Sequence, residues 1–399
     1  MKRKLVYIMM AMILTTGVFA GCSNADNEGS TNVVSGSDSG EYRVAIVTDC
    51  GEITDGGYNQ AAYDVANEFC QKNKLEFEYF QPTEDTTAAR DAAVETAIEN
   101  RYNVIIMPGH SFAGTIIDLS KVYTDVKFIA LDCSESDLRE AVAALDDSQE
   151  IEDEKISDIV YMENVYCADY QEELVGYLGG YAAVKMGYTN LGFAYDADTN
   201  DAKKYFYGLA QGAEIAAREV NVDVTIQCAD EENVKNSGMT METACDAMYA
   251  EGVDIIFAYG NGVLDQVCEA ADDNNKNVVA VDGNQAVVLD EEDREVVAAV
   301  VEKKYDLAVK DVLQKAVAKG KWDKYLGKVV TLGIASADKP EVNYIQLSST
   351  TQYTDGFTED NYKALLSSIY NKEQNISTDP SENIPWEKIS DIKVWGLNR

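Results

Sequence analysis

The segment Val44–Gln60, VAIVTDCGEITDGGYNQ, connects a short apolar run to a helix-like stretch through a loop rich in turn-forming residues. Val44–Val47 is apolar and largely β-branched, which is typical of a buried strand. The loop carries Asp49 and three glycines, and a helical pattern over Asn59–Asn73 follows it. This order predicts the first half of a βαβ unit, whose loop leaves the carboxyl end of the strand. Ligands bind at such loops in open α/β sheets.

The same strand–helix alternation continues along the chain. We predict further strands at Phe77–Phe80, Val104–Met107, Phe128–Leu131, Ile159–Met162, Leu191–Tyr195, Val222–Gln227, Ile255–Ala258 and Val278–Val281. Helical patterns cover Thr87–Asn100, Ala168–Met186, Ala202–Val220, Thr240–Glu251 and Val263–Asn274. Repeated βαβ units with continuous apolar strands predict an α/β fold with parallel sheets covered on both faces. Nine strands in 399 residues favour two Rossmann-like lobes over one sheet.

The net charge of −37 restricts the classes of partner. Phosphate groups would be repelled, so we expect no nucleic-acid partner. The same charge disfavours docking to anionic lipid through a basic patch.

Sequence signatures of catalysis are scarce. His110 is the only histidine, which argues against a histidine-based triad or metal cluster, and the cysteines form no C-x-x-C pair. Neither a P-loop nor a G-x-S-x-G motif is present. We therefore expect no enzyme, no cofactor and no metal. A carboxylate-dependent hydrolase is the alternative from another class, because 70 acidic residues offer many carboxylate pairs.

The first residues read as an export signal. Lys2, Arg3 and Lys4 precede an apolar stretch to Phe19, and the small residues before Cys22 resemble a bacterial lipobox. We predict a signal peptide over residues 1–21, lipidation of Cys22, and a flexible Ser/Gly/Asn-rich tether over 22–40. The protein would then be held on the extracytoplasmic face of the cell membrane by its lipid anchor.

Aspartates recur where predicted strands end. Asp49, Asp132 and Asp282 each follow such a strand closely. A single strand-end Asp is often a helix cap or a turn former. Three on loops of this kind, with aromatic residues beside them, favour one ligand cleft between the two lobes.

Several segments together resemble the basic membrane protein family. Its members are lipoprotein substrate-binding subunits of ABC importers and are best known for binding purine nucleosides. Val47–Gln60 is similar to the family segment V-T-D-x-G-x-I-D-D-x-S-F-N-Q, with Thr54 and Gly57 as departures. The other matches, in the family's order, are Tyr177–Ala183, Leu191–Phe193, Lys203–Gly212, Gly260–Val263, Val281–Gln285 and Lys303–Asp306. Lys303–Asp306 reads K-K-Y-D where the family has K-R-V-D, and the loop after Tyr259 is shorter than the family's.

The resemblance implies a type 1 periplasmic-binding-protein fold and a role for individual residues. Tyr58 would stack on a purine base, while Asp49, Asn59 and Asp132 would hydrogen-bond polar atoms of the ligand. Asp282 and Lys303 would bind ribose hydroxyls, and Gly260 would let the backbone approach the sugar. Tyr259 or Phe257 would supply the second stacking face. For Tyr205 two positions are open, in the core or in the cleft.

The function implied by the resemblance is delivery of a purine nucleoside, or a related nucleobase compound, to an ABC permease and its ATPase. The alternatives are a receptor for a sugar or a flavin on the same fold, the hydrolase named above, and an acidic surface lipoprotein with a host or cell-wall partner. The first lobe is expected to span 41–160, with part of 290–330 returning to it. The second lobe would span 161–289, and residues 331–399 would pack on the lobes.

Overall fold

Two separate sheets organise the chain, as the computed structural model shows. It describes residues 42–54, 56–145, 154–196, 200–260, 262–281, 295–379 and 386–394. The first sheet has six strands in the order β11-β5-β4-β3-β1-β2, and the second has seven in the order β12-β10-β9-β8-β6-β7-β13. The predicted signal peptide, the lipidation site Cys22, the tether and Asp282 lie outside the described residues.

The strands are short and nearly all parallel. They are β1 Arg43–Val47, β2 Glu76–Phe80, β3 Val104–Pro108, β4 Lys127–Leu131, β5 Val165–Tyr170, β6 Asn190–Tyr195, β7 Val224–Asp230, β8 Ile255–Tyr259, β9 Asn277–Val281, β10 Val297–Lys303, β11 Lys328–Leu332, β12 Ile345–Leu347 and β13 Ile389–Val394. Among the strands of the described ranges, β12 alone pairs antiparallel, with β10. Strand β3 is buried at all of its residues, as expected for a sheet covered on both faces.

Helices connect the strands and cover the sheets. They are α1 Tyr58–Asn73, α2 Thr87–Glu99, α3 Ala113–Leu119, α4 Glu135–Leu145, α5 Ile156–Ile159, α6 Glu172–Met186, α7 Asn200–Val220, α8 Glu231–Asn236, α9 Met241–Ala250, α10 Val263–Asn274, α11 Tyr305–Val312 and α12 Glu359–Tyr370. The predicted α/β architecture with two parallel sheets is confirmed. No helix in the described part of the chain has the length and apolar character of a membrane span.

Within the described ranges the chain passes between the sheets three times. It leaves the first sheet after β5 and enters α6 of the second lobe. It returns after β10, where α11 packs against α1, and it crosses again between β11 and β12. The second of these crossings places Lys303 and Tyr305 between the lobes.

The structure differs from the sequence prediction around residue 160, in one strand and in the boundary between the lobes. The predicted strand Ile159–Met162 is wrong, because Ile156–Ile159 is a helical turn and the strand begins at Val165. A short apolar run does not distinguish the two by its pattern. Strand β5 pairs with β4, so the first sheet extends beyond the expected lobe boundary at 160. Of the segment 290–330, part of which was expected to return to the first lobe, β10 pairs with β9 of the second sheet, whereas β11, which begins at Lys328, pairs with β5 of the first.

Helices α6 and α7 approach each other so closely that only glycine fits at their contact. A Cβ added at Gly176 would lie 2.0 Å from the carbonyl oxygen of Tyr205, and one at Gly208 would lie 1.9 Å from that of Glu173. These distances are far below van der Waals contact, so a side chain at either position would push the helices apart. The close contact fixes Tyr205, near the start of α7, against the strands of the second sheet.

Candidate ligand-binding site

A cavity of about 110 Å³ lies where the carboxyl ends of the two sheets face each other. We call it the interlobe cavity. Its first-lobe wall is formed by Tyr58, Gly109, His110 and Asp132. Its second-lobe wall is formed by Asp196, Tyr205, Ala258, Tyr259, Gly260 and Val281, and the crossing after β10 adds Lys303 and Tyr305. Because most of these residues lie at or just after strand ends, or in the first turns of helices, the fold itself brings them together.

An ion pair between the two sheets forms the polar centre of the cavity. Lys303 Nζ, at the end of β10, lies 2.7 Å from Asp132 Oδ2, directly after β4. Tyr305 Oη donates to the same oxygen at 2.6 Å. Burial alone would raise the pKa of Asp132, but the Lys303 ammonium and the two hydrogen bonds hold it below its usual value. Asp132 is therefore a carboxylate whose other oxygen, Oδ1, is buried without a hydrogen-bond partner among the described residues.

Tyrosine rings surround this ion pair. Tyr58 stacks on Tyr305 with ring centroids 5.5 Å apart, and Tyr205 stacks on Tyr259 at 4.3 Å. Lys303 Nζ lies 5.8 Å from the ring centroid of Tyr205 and 5.7 Å from that of Tyr305. The cation therefore faces aromatic surface as well as Asp132, which stabilises its charge away from water.

Asp49 holds the loop before α1 in place. Its Oδ1 accepts from the backbone N–H groups of Cys50 at 2.7 Å and Gly51 at 2.9 Å, and from Asn59 Nδ2 at 2.9 Å. Its Oδ2 accepts from Tyr58 Oη. Burial would raise the pKa of Asp49, but these hydrogen bonds, led by that of Tyr58, outweigh it and lower the pKa. The carboxylate thus positions the Tyr58 ring against the cavity.

Gly260 shows how tightly the second-lobe wall is built. Its φ of +111° is in the left-handed region that favours glycine. A Cβ at this position would lie 2.2 Å from Cγ of Asp196, the residue that follows β6. The backbone of Gly260 and the carboxylate of Asp196 therefore occupy neighbouring positions in the wall.

Asp132 also belongs to a cluster of three carboxylates, whose other two members lie where the chain crosses from β5 to α6. Ligand atoms of Asp132, Asp169 and Glu172 all lie within 4.8 Å of one another. Burial, followed by the neighbouring carboxylates, raises the pKa of Glu172, and burial raises that of Asp169 to about 7. Lys204 Nζ lies 3.4 Å from Glu172 Oε2. Protonation therefore reduces the negative charge of this cluster, and Lys204 and Lys303 balance part of the remainder. In the part of the chain that the structure describes, it is the one set of residues with ligand spacing for a metal.

The structure places the predicted site residues in two groups. The interlobe cavity is lined by Tyr58, Asp132, Tyr259, Gly260 and Lys303. Three others do not line it. Asp49 and Asn59 lie behind Tyr58, and Phe257 is 1% exposed, with its ring among Phe193 and Tyr205 in the core of the second lobe. Phe257 is on the same face of the sheet as Tyr259, but it lies two residues before the end of β8, so its ring packs in the core instead of reaching the cavity.

The wall also contains residues that the sequence prediction did not select, among them Asp196, Gly109 and Tyr305. Asp196 directly follows β6, so the strand-end rule that selected Asp132 applies to it equally. Gly109 lies after β3 with a φ of +113°, and its Pro-Gly context was a visible turn signal. Tyr305 carried no such signal, because its place depends on the crossing from β10 to α11.

A family comparison agrees with this geometry. Residues 42–377 match the model of the Bmp family, described as ABC transporter substrate-binding protein PnrA-like. The chain belongs to this family. It is therefore a substrate-binding protein of the extracytoplasmic type that binds a small solute for an ABC transporter, and its family is not one of enzymes.

Individual relatives are distant but cover most of the chain. The CD4+ T-cell-stimulating antigen of Listeria monocytogenes serovar 1/2a is 26% identical over 80% of this chain and 85% of its own. The ABC transporter nucleoside-binding protein BmpA of Lactococcus lactis subsp. cremoris is 23% identical over 79% of this chain and 85% of its own. Among solved structures, an ABC transporter solute-binding protein from Conexibacter woesei has a TM-score of 0.62 at 14% identity. It covers 84% of this chain and 99% of its own. This likeness confirms the type 1 periplasmic-binding-protein fold.

Proposed function

We propose that the protein binds a purine nucleoside or a related nucleobase compound in the interlobe cavity and delivers it to an ABC permease. The observation that carries the proposal is that tyrosine rings and buried polar atoms without a hydrogen-bond partner in the described ranges belong to the same cavity wall. Asp132 Oδ1 and Tyr205 Oη are both buried without a hydrogen-bond partner among the described residues. A heterocycle with polar edges matches both features, since its faces contact rings and its edge donates or accepts hydrogen bonds.

The rings supply apolar contact on both lobes. Tyr58 and Tyr305 present their rings from the α1 side, and Tyr259 presents its ring from the end of β8. A flat base placed between the lobes would contact rings from both sides, which favours the closed form of the protein. Closure would also remove the ligand from water.

The Asp132–Lys303 pair supplies selection. A buried carboxylate oxygen without a donor carries a cost that a ligand N–H or O–H would remove. A ligand without such a donor would leave that cost in place, so the site discriminates by chemistry as well as by shape. Among the relatives, the Lactococcus lactis protein named as nucleoside-binding supports a nucleoside or base as the class of ligand.

Attachment to the membrane is the second part of the proposal. It rests on the sequence around Cys22, whose acylation would keep the receptor on the extracytoplasmic face, beside the permease that the ATPase drives. Intact-mass analysis of the protein expressed in a bacterial host would show the acyl chains. An unmodified Cys22 after signal cleavage would refute the anchor and leave the solute-binding role intact.

A binding panel tests the ligand class. Purified protein would be titrated calorimetrically with adenosine, guanosine, inosine and their free bases, and with arabinose, galactose and riboflavin as the sugar and flavin alternatives. We expect heat and a raised melting temperature only with purine compounds. Binding of a sugar or of riboflavin alone would contradict the proposal. Chromatography of the recovered ligand would reveal a hydrolase by its products.

Gly260 offers a variant with a matched control. In Gly260→Ala the added Cβ would meet Asp196, whereas Gly187, with a similar φ of +108°, has no heavy atom within 4 Å of such a Cβ. Both substitutions carry the backbone strain of a positive φ, so their difference isolates the clash in the cavity wall. We expect Gly260→Ala to weaken purine binding and Gly187→Ala to preserve it. Equal affinities in the two variants would remove Gly260 from the site.

A further inference from the structure

The Tyr58–Tyr305 ring pair separates two cavities. On one side is the interlobe cavity of about 110 Å³. On the other is a second cavity of about 210 Å³ between α1 and the crossing after β10, which we call the crossing cavity. Both cavities have Tyr58, Lys303 and Tyr305 in their walls. The two stacked rings are therefore a partition with open space on each side.

The two cavities differ in size and chemistry. The interlobe cavity is comparable to the roughly 150 Å³ apolar cavity that holds one benzene, so it suits a single flat ring system. The crossing cavity is lined by the polar side chains of Asp64, Glu302, Lys304 and Asp306. Its carboxylates suit the hydroxyl groups of a sugar. Neither of these two cavities alone reaches the lower limit of about 300 Å³ that is usual for small-molecule sites, whereas the two joined do.

Tyr305 is the fixed member of the partition. It is 2% exposed, and its ring packs on Tyr58 and also on Tyr170, at a centroid distance of 5.0 Å. Its hydroxyl is hydrogen-bonded to Asp132 at 2.6 Å. As the first residue of α11 it is also held by the packing of that helix against α1. A ring held at this many points does not move aside at low cost, since its contacts and its hydrogen bond would be lost together.

We propose that Tyr305 determines ligand size, so that the protein prefers a free purine base to the corresponding nucleoside. This inference rests on the proposed function, because it concerns the same site. The base occupies the interlobe cavity, and the Tyr305 ring blocks the space that a ribose would need. Replacement of the ring by a smaller side chain would join the two cavities and admit the sugar.

The experiment compares base and nucleoside affinities by calorimetry in four proteins. They are the unaltered protein, Tyr305→Val, Tyr305→Phe and Tyr325→Val. Tyr305→Phe keeps the partition and removes only the hydroxyl. Tyr325 is the matched control for truncation, because it is also a buried tyrosine whose hydroxyl donates to a carboxylate, that of Asp311 at 2.7 Å, and it lies in neither cavity wall.

We expect the unaltered protein, Tyr305→Phe and Tyr325→Val to bind adenine, guanine or hypoxanthine more tightly than the matching nucleoside. In Tyr305→Val the ratio of the two affinities should shift towards the nucleoside by about tenfold or more. Circular dichroism and melting temperatures confirm that each variant is folded. If Tyr305→Val does not fold, Tyr305→Leu, which also removes the ring but fills more of its space, takes its place in the comparison.

Two results would overturn the inference. One is tighter binding of the nucleoside than of the base by the unaltered protein. The other is an unchanged affinity ratio in folded Tyr305→Val. In both cases purine compounds still bind and the proposed function stands, whereas an absence of binding by any purine compound to any of the four proteins would refute both.

Discussion

Asp49 and Asp132 follow two strands of the same sheet, yet their carboxylates are used in opposite ways. All the recorded donors to Asp49 come from its own loop and the first turn of α1. Asp132 accepts from Lys303 and Tyr305, which lie more than 170 residues further along the chain. Asp49 therefore stabilises a local structure, while Asp132 connects two parts of the molecule and keeps one oxygen available.

The backbone supports the same distinction. Asp132 has a φ of +59°, a conformation that aspartate and asparagine adopt more readily than most residues. The backbone N–H of Asp132 also donates to the carbonyl of Ala168 in β5, at 2.6 Å. The Asp132 side chain is thus directed away from its own strand end and towards the other lobe. A strand-end aspartate is part of a cleft when its partners are distant in sequence.

The largest effect is expected for Asp132→Asn. Asparagine keeps the backbone conformation but removes the anion, so the Lys303 ammonium, 8% exposed, loses the carboxylate that lies 2.7 Å from it. We expect a loss of about 3–5 kcal/mol in the free energy of unfolding, measured by urea denaturation. Purine affinity should fall by about tenfold or more.

The double variant Asp132→Asn/Lys303→Met is the control for Asp132→Asn. It removes the charge of Lys303 together with that of Asp132, so stability should recover in part while binding stays weak. An Asp132→Asn protein as stable as the unaltered one would show that the ion pair contributes little.

A smaller effect is expected for Asp49→Asn. The side chain keeps one oxygen for the N–H donors but loses the charge and the acceptor for Tyr58. We expect a loss of about 1–3 kcal/mol in stability, measured in the same urea series. Purine affinity should decrease less than in Asp132→Asn, because Asp49 acts only through the position of Tyr58. The reverse ranking of the two affinities would contradict the comparison.

The dependence of stability on pH separates Asp49 from Asp169, another strand-end aspartate of the first sheet. The pKa of Asp49 is lowered, so its stabilisation is present above the ordinary carboxyl pKa and is lost as pH falls through the folded value. The pKa of Asp169 is raised to about 7. The folded state therefore holds its proton more tightly, and stability declines as pH rises from about 4 to about 7.

Asp169→Asn should flatten this decline between about pH 4 and pH 7, whereas Asp49→Asn should reduce the loss of stability below about pH 4. Urea denaturation at a series of pH values measures both slopes. A decline that persists unchanged in Asp169→Asn would assign it to another member of the carboxylate cluster, such as Glu172.

The smallest effect is expected for Tyr58→Phe. The ring and its stacking on Tyr305 are kept, and only the hydroxyl that donates to Asp49 is lost. Stability should fall by about 0.5–1.5 kcal/mol, the usual net value of one hydrogen bond. Purine affinity should stay within about threefold of the unaltered protein, by calorimetry. A larger loss of affinity would mean that the hydroxyl itself contacts the ligand.

Most of the fold was accessible from sequence because its signals are local. Apolar β-branched runs such as Val104–Pro108 are buried on both faces, and the helical patterns after them are long. The error at Ile159–Met162 arose where a run of only four residues carried no distinguishing period. The place of β10 in the second sheet was equally inaccessible, since strand pairing depends on contacts between segments that are far apart.

The sequence by itself determined the strand-end loops, the family, and the presence of Asp132, Tyr58 and Lys303 near a ligand site. These are properties of short segments, in which composition and order decide the local structure. Tertiary structure alone decided which polar atoms are already satisfied. It turned Asp49 towards its own loop, directed Phe257 into the core, and placed Tyr305 between two cavities. The physical reason is that the contacts of a buried side chain depend on how segments distant in sequence pack together. The sequence of one segment alone does not determine that packing.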